Sequence, residues 1–397
     1  MHLGSNVDFT AGITNLAESG PYSPPRRVEA RVSVPRFVKN TERLVQLSRK
    51  NRPHFLGLIP MVKCDAYGHG AAPLVQALAE KNLRSVIGLG VATLDEALAI
   101  RDAGISLPVF VFSDCTPFSE ALYRIALEKD FIPILNSLAD VQILARVAKK
   151  ERNSKLKFHL KFNTGMHRLG IPANDSREVA RVLWSARLRP NGVCTHLAQA
   201  SDLDSKISQT QWARFRSVLN TFADVAMIHA ESSDAIFSAA KGPWRTVCNV
   251  TRPGIGLYGY SASSKTSVSG IEPVMTVRAR VITAEVLGKG ESIGYGATFR
   301  ATKKIARSVL AMGYGDGFRR ILSNRSVVID GKIRRVLGRV SMDVTSVEGN
   351  FRPGTWVTLL GGSARSAHYM AEQAETNVYE LFTALSPRVR RTLRGVK

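Results

Sequence analysis

The strongest constraint on this 397-residue chain is a rhythm between residues 55 and 256. Short apolar runs recur there: FLGLIPMVK (55–63), SVIGLGVAT (85–93), LPVFVF (107–112), FIPIL (131–135), LKFHLKFN (156–163), NGVCTHL (191–197), VAMIHAESS (225–233) and CNVTRPG (248–254). Between them, segments such as PLVQALAEKN, LDEALAIRDAG, SLADVQILARVAKKE and QTQWARFRSVLNTFAD repeat apolar residues every three or four positions, the period of an amphipathic helix. Strand–helix alternation builds parallel βαβ units. Eight of them in ~200 residues predict an α/β fold, a closed (β/α)8 barrel of the TIM type. An open doubly wound sheet is the alternative, but it normally carries a glycine-rich phosphate turn after its first strand. The first run here leads instead into CDAYGHG.

After residue 260 the texture changes. SASSKTSVSG reads as a Ser-rich linker. The runs VMTVRARVITAEVL, SIGYGATF, RSVLAMGY, SVVIDGKIRRVLG and TWVTLLGG are strand-like, and Asp330-Gly331 is a two-residue hairpin signal. A mostly antiparallel β domain with a helix over Tyr369–Leu385 is expected. The expected division is a leader over 1–26, a barrel over 27–261 and a β domain over 262–397.

Composition removes several classes. Hydrophobic residues make up 44% and charged residues 22%, the balance of a soluble globular chain. No stretch reaches the ~18 apolar residues of a membrane helix, so no membrane partner is expected. The start, MHLGSNVDFTAGITNLAESGPYSPPRR, lacks a basic segment followed by an apolar core and reads as a loosely ordered leader rather than a secretory signal. Cys64, Cys115, Cys194 and Cys248 are scattered without a CxxC pair, which suits reduced thiols in a cytoplasm. The net charge of +23 is spread along the chain, with modest clusters at Lys149–Lys157 and Arg388–Lys397. No aromatic-interleaved motif accompanies it, so it reads as a basic surface that steers carboxylate substrates rather than as a nucleic-acid footprint. No metal is expected.

The ends of the apolar runs carry Lys63, Asn163, His196, Ser233 and Arg252. In a barrel, strand C-termini converge on one face, where active sites sit. A lysine desolvated there has a lowered pKa and can bond a carbonyl cofactor. By position alone, Lys63 is more often a surface lysine. Its context reverses that reading.

Lys63-Cys64-Asp65-Ala66-Tyr67-Gly68-His69-Gly70 closely resembles the lysine motif of the alanine racemase family, which binds pyridoxal phosphate. LKFNTGMHRLG (160–170), Thr195-His196, HAESS (229–233), RPGIGLYG (252–259), GYGAT (294–298), GYGDG (313–317), GRVSMD (338–343) and Tyr379-Glu380-Leu381 follow in family order. The similarity covers about residues 27–394. It implies a pyridoxal-phosphate enzyme that interconverts L- and D-alanine, supplying D-alanine for peptidoglycan. A broad-specificity racemase and, further off, an amino-acid decarboxylase remain as alternatives. It further implies that Lys63 and Tyr295 are opposed acid/base groups, because racemisation needs one on each face of the α-carbon. Tyr67, Ser233, Gly254, Ile255 and Tyr379 are implied at the cofactor phosphate, and Arg252 at its ring nitrogen with His196 beside it. His196 would bridge Arg252 to Tyr295. Arg168, Met342 and Asp343 are implied at the substrate carboxylate, Tyr314 and Arg320 at the entrance, and Lys161 as a carbamylated lysine. In the family the tyrosine and the Met-Asp pair come from the partner subunit, which implies a homodimer with shared sites.

The chain departs from the family pattern in places. Cys64 stands where a small residue is usual, Asn163 where Asp is usual, and Gly315 where Ala is usual. Phe318 and Arg319 replace Tyr and Pro. These departures bear on carbamylation and on the entrance. They leave Lys63, Arg252 and Tyr295 untouched.

Overall fold

The computed structural model describes residues 26–395 except 51, 152–154, 239–241 and 264–267. The expected leader, apart from Arg26, and the middle of the Ser-rich linker lie outside the described residues. Eight parallel strands form the first unit: Gly57–Leu58, Leu89–Val91, Val109–Val111, Phe131–Leu135, His159–Asn163, Gly192–Cys194, Met227–His229 and Val250–Thr251. The last strand pairs with the first, and bridges Leu58–Val86 and Met61–Gly90 join the first to the second. The sheet therefore curls into a ring.

Ile59, Phe110, Ile132, Ile134, Cys194 and Val250 fill the lumen as a cluster of their own, apart from the larger core between strands and helices. Burying a side chain such as Ile or Phe there contributes roughly 1.5–3 kcal/mol. Four of the helices that follow barrel strands start on side-chain caps: Thr93, Ser119, Ser137 and Ser205 each accept from the backbone N–H of the third helical residue. Such caps satisfy donors that a helix start leaves unpaired, and they hold the strand-to-helix loops on the face where the strands end. After the eighth strand the chain makes only a 3-10 turn, Ile255–Tyr258. The helix Val34–Arg49, which precedes the first strand, packs against that turn, against Ala71–Lys81 and against Ser233–Phe237, completing the outer ring.

The second unit is built on the long strand Met275–Leu287, which pairs antiparallel with Ile305–Leu310, Trp356–Leu360 and Val28–Ser33. Thr345–Glu348 extends one edge and Arg390–Arg394 the other. The expected barrel segment began at 27, whereas the strand Val28–Ser33 lies in this sheet. Its alternation of buried Val28, Ala30 and Val32 is a period-2 signal, but its partner lies more than 240 residues downstream. The hairpin forms as expected: Ile329 faces Lys332, and Asp330 and Gly331 both take positive φ.

Two expected elements differ. The helix over Tyr369–Leu385 is two helices, Ala364–Gln373 and Val378–Thr383, broken where Glu375 takes φ 52° and Asn377 caps the second. SIGYGATF is not one strand. Ser292–Ile293 pairs with Phe299–Arg300, and Tyr295–Ala297 forms a tight turn with Gly294 just before it at φ 69° and Gly296 within it at φ 71°. Only glycine adopts such angles without strain.

Candidate active site

Lys63 does not end a strand. It opens a left-handed turn in which Cys64, Asp65, Ala66 and Tyr67 all take φ of 50–54°. Each such residue costs roughly 1–2 kcal/mol, so the turn must be held from outside. Cys64 N donates to Glu96 Oε1 at 2.6 Å, Ala66 N to the Val62 carbonyl at 2.8 Å and Ala71 N to Asp65 Oδ1 at 2.6 Å. A Cβ at Gly68 would lie 2.3 Å from the Phe382 carbonyl oxygen. That close approach brings the C-terminal helix over the turn, with the Tyr379 ring 5.8 Å from the Tyr67 ring. The turn thus delivers both Lys63 and Tyr67 to one cavity. Burial, reinforced by the Arg168 charge, pulls the Lys63 pKa below its ordinary 10.5.

The cavity has a volume of about 610 Å³ and lies over the strand C-termini. Lys63, Lys161, Arg168, His196 and Arg252 line it, with Tyr67, Ser233, Gly254, Ile255 and Tyr379. No carboxylate lines it among the described residues. Burial first, then the neighbouring cations, lowers the Lys161 pKa to about 8. Arg168 is exposed at the rim. Asn163 serves its own loop: its Oδ1 accepts from Gly165 N and His167 N, each at 3.1 Å.

Arg252 emerges just past the eighth strand and is 6% exposed. Its guanidinium donates to the carbonyls of Thr195 (2.7 Å), His229 (2.8 Å) and Ala230 (3.3 Å), to the His229 ring, and to His196 Nδ1 at 3.3 Å. Arginine is donor-only. His229 Nδ1 must therefore accept, which leaves its Nε2 protonated and donating to His159 Nδ1 at 2.7 Å. Burial and the Arg252 charge keep all three imidazoles neutral, His159 at about 3 and the other two well below 6.5. A buried cation is thus held by neutral acceptors and presented to the cavity.

Opposite it, Ser233 Oγ accepts from Gly254 N at 2.9 Å and Gly256 N at 3.0 Å. A Cβ at Gly254 would lie 2.4 Å from the Tyr67 hydroxyl. Tyr67, Tyr379, Ser233 and this glycine backbone line the same side of the cavity, after strands seven and eight, where barrel phosphate sites form. Burial raises the pKa of both Tyr67 and Tyr379, so they stay protonated donors.

Five expected residues stand apart from this cavity. Tyr295 is 72% exposed, Met342 51% and Tyr314 41%, and Arg320 and the Asp343 side chain also face outward. Asp343 is held by Arg388 Nη2 at 2.7 Å, and Gly315 N donates to the Met342 carbonyl at 2.9 Å. The loop 313–317 and the segment Met342-Asp343 therefore form one surface of the second unit.

A family model of the alanine racemase N-terminal domain matches residues 32–262, and one of the C-terminal domain matches 274–393. Alanine racemase of Hahella chejuensis is 35% identical over 343 residues, covering 83% of this chain and 89% of that relative. The alanine racemase of Deinococcus radiodurans is 36% identical over 338 residues, 84% and 91% of the two chains. The chain belongs to the alanine racemase family. Among solved alanine racemases, that of Acinetobacter baumannii superposes with a TM-score of 0.81 at 31% identity, over 93% of this chain and all of that one. That of Bacillus anthracis, with bound L-Ala-P, gives 0.79 at 28% identity, over 95% and 97%.

Within this alanine racemase fold, the floor of the site is formed by His159 and His229, two residues to which no motif assigns a role. His229 opens the HAESS segment, two residues after Met227, and His159 precedes Lys161 by two, so both face the lumen by strand alternation. That period was the available signal. Asn377, Cys194 and Phe112 also line the cavity; nothing in their sequence context marks them.

Proposed function

We propose that this chain interconverts L- and D-alanine with pyridoxal 5'-phosphate, by two opposed acid/base groups, as a homodimer with shared sites. The observation that carries the reading is the acid-free cavity in which Lys63 and Arg252 face a common space. Its donors fit the cofactor: Tyr67, Ser233, Tyr379 and the backbone at Gly254 and Ile255 for the phosphate, Lys63 for the aldehyde, Arg252 for the ring nitrogen. When bound, pyridoxal phosphate supplies an electron sink for the α-carbon once its proton leaves. Arg252, a donor only, would meet an unprotonated ring nitrogen, which would limit that sink and favour return of the proton to the α-carbon. A decarboxylase would be expected to set a carboxylate there.

Lys63, with its lowered pKa, takes or returns the α-proton on one face. Tyr295 of the partner subunit does so on the other. His196, neutral and bonded to Arg252, is positioned to assist that tyrosine. The exposure of Tyr295, and of Tyr314 beside Met342, supports the dimer, because exposed large apolar groups that lie together mark an interface. Closed two-fold symmetry would bring this surface over the partner's cavity mouth, adding Met342 and Asp343 to Arg168 at the substrate carboxylate and Tyr314 and Arg320 at the entrance. Lys161, uncharged above a pKa of about 8, can take up carbon dioxide as a carbamate that offsets the neighbouring cations.

The four cysteines are free, which supports a reducing cytoplasm, and no described helix is long and apolar enough to cross a membrane. D-alanine for peptidoglycan is the product this reading implies. The test is borohydride reduction of the holoenzyme, peptide mapping and polarimetry on both alanine enantiomers. A pyridoxyl label on Lys63 with loss of optical rotation from either enantiomer is expected. A label on another lysine, or rotation that stays constant, refutes the reading.

A further inference from the structure

Two residues before the phosphate serine lies a buried acid that the reading above does not use. Glu231 is fully buried, and its carboxylate pairs with Arg52, itself 4% exposed. Arg52 Nη1 also donates to the Ser48 carbonyl at 2.6 Å, at the end of the helix Val34–Arg49. Ser48 Oγ in turn lies 3.1 Å from Thr251 Oγ1, on the eighth strand. A second buried arginine, Arg245, stands near Glu231 and donates to the carbonyls of Ala235, Ile236 and Ser238, around the end of the helix that Ser233 begins.

The backbone of Glu231 matters as much as its side chain. Its carbonyl accepts Arg252 N at 2.9 Å. Two residues on, Ser233 Oγ takes the N–H groups of Gly254 and Gly256. One residue therefore stands between the group that meets the ring nitrogen and the group that meets the phosphate. A buried ion pair is a poor source of stability, because desolvating two charges offsets most of their attraction. Here Glu231 Oε1, Arg52 Nε and Arg245 Nε also find no hydrogen-bond partner among the described residues. Such a cluster is better explained by what it positions.

We infer that Glu231 and Arg52 are positioning residues for the cofactor: their ion pair locks the Ser233 segment and Arg252 onto the outer helix, fixing the spacing between the phosphate and ring-nitrogen sites. The inference rests on the cofactor reading above.

The experiment removes both charges together. Arg52→Met with Glu231→Leu replaces the pair by apolar groups of similar size, a change that often costs no stability. Three quantities are measured: melting temperature, pyridoxal-phosphate release from diluted holoenzyme by visible absorbance, and kcat and KM for L-alanine at saturating cofactor. The expected result is a melting temperature close to wild type, cofactor affinity weakened about tenfold or more, and a lower kcat with little change in KM. Arg52→Lys keeps the cation but not the fork that reaches both Glu231 and Ser48. It should weaken cofactor binding by a smaller factor, and it keeps the inference testable if the double variant does not fold. Unchanged cofactor affinity in folded variants overturns the inference, whether or not the melting temperature falls. A wild-type protein that binds no pyridoxal phosphate would refute the cofactor reading instead.

Discussion

Lys161 gives the most direct measure of the electrostatic cost of this cavity. It is 7% exposed, and burial together with Arg252, Arg168 and Lys63 lowers its pKa from 10.5 to about 8. In the unfolded chain the same lysine titrates near 10.5. Between about pH 8 and 10.5 the unfolded state therefore holds more protons at this site than the folded state, and stability rises with pH. Below pH 8 the folded protein carries the whole cost of a buried ammonium. The gap corresponds to roughly 3 kcal/mol, at ~1.36 kcal/mol per pH unit. Lys161→Met keeps the apolar stem and removes the charge. At pH 7, in buffer free of carbon dioxide, the variant should be more stable than wild type by about 3 kcal/mol. With an unfolding entropy of roughly 2.1 cal/mol/K per residue, that is a rise of about 4 °C in Tm. Calorimetry of both proteins from pH 7 to 10.5 is the assay, and the difference should vanish at the upper end. A variant no more stable than wild type at pH 7, or an advantage that does not shrink with pH, would refute the argument. If Lys161 carries the proposed carbamate, racemase activity should fall in the same variant, which cannot form one.

Removing the phenol in Tyr295→Phe should lower the rate by ~10²–10⁴ and affect the directions unequally, which α-deuterated L- and D-alanine report as diverging primary isotope effects. Equal kinetics to wild type would end the two-base reading. Lys63→Ala mixed with Tyr295→Phe under subunit exchange should recover at most about half of wild-type activity per heterodimer, since one shared site is then intact. No recovery in verified heterodimers would put both groups of a site on one chain. Arg252→Glu should keep cofactor binding, slow racemisation and raise pyruvate and pyridoxamine phosphate formed per turnover, because a carboxylate accepts from a protonated ring nitrogen. A ratio identical to wild type would show that Arg252 does not face that nitrogen.

Much of this molecule was legible in one dimension. The alternation of apolar runs with helical periods specified a barrel, because each pattern can bury its apolar side in only one kind of layer. The ordered motifs around Lys63, Arg252 and Tyr295 carried the family, because a motif is a local run of residue types that one dimension displays in full. Asp330-Gly331 named its own turn, because few residues accept two positive φ angles in succession. What sequence could not supply was everything that depends on partners far away in the chain. Val28–Ser33 joined the second unit through strands hundreds of residues downstream. The left-handed turn after Lys63 is held from outside by Glu96 and Arg391, which bond to its backbone from 32 and 323 positions away. The tautomers of His229 and His159 follow from the donor-only Arg252 above them. The Glu231–Arg52 pair spans 179 positions, with no local pattern to announce it. Local chemistry is written in the residue, whereas a buried charge acquires its meaning only from the groups that the fold brings against it.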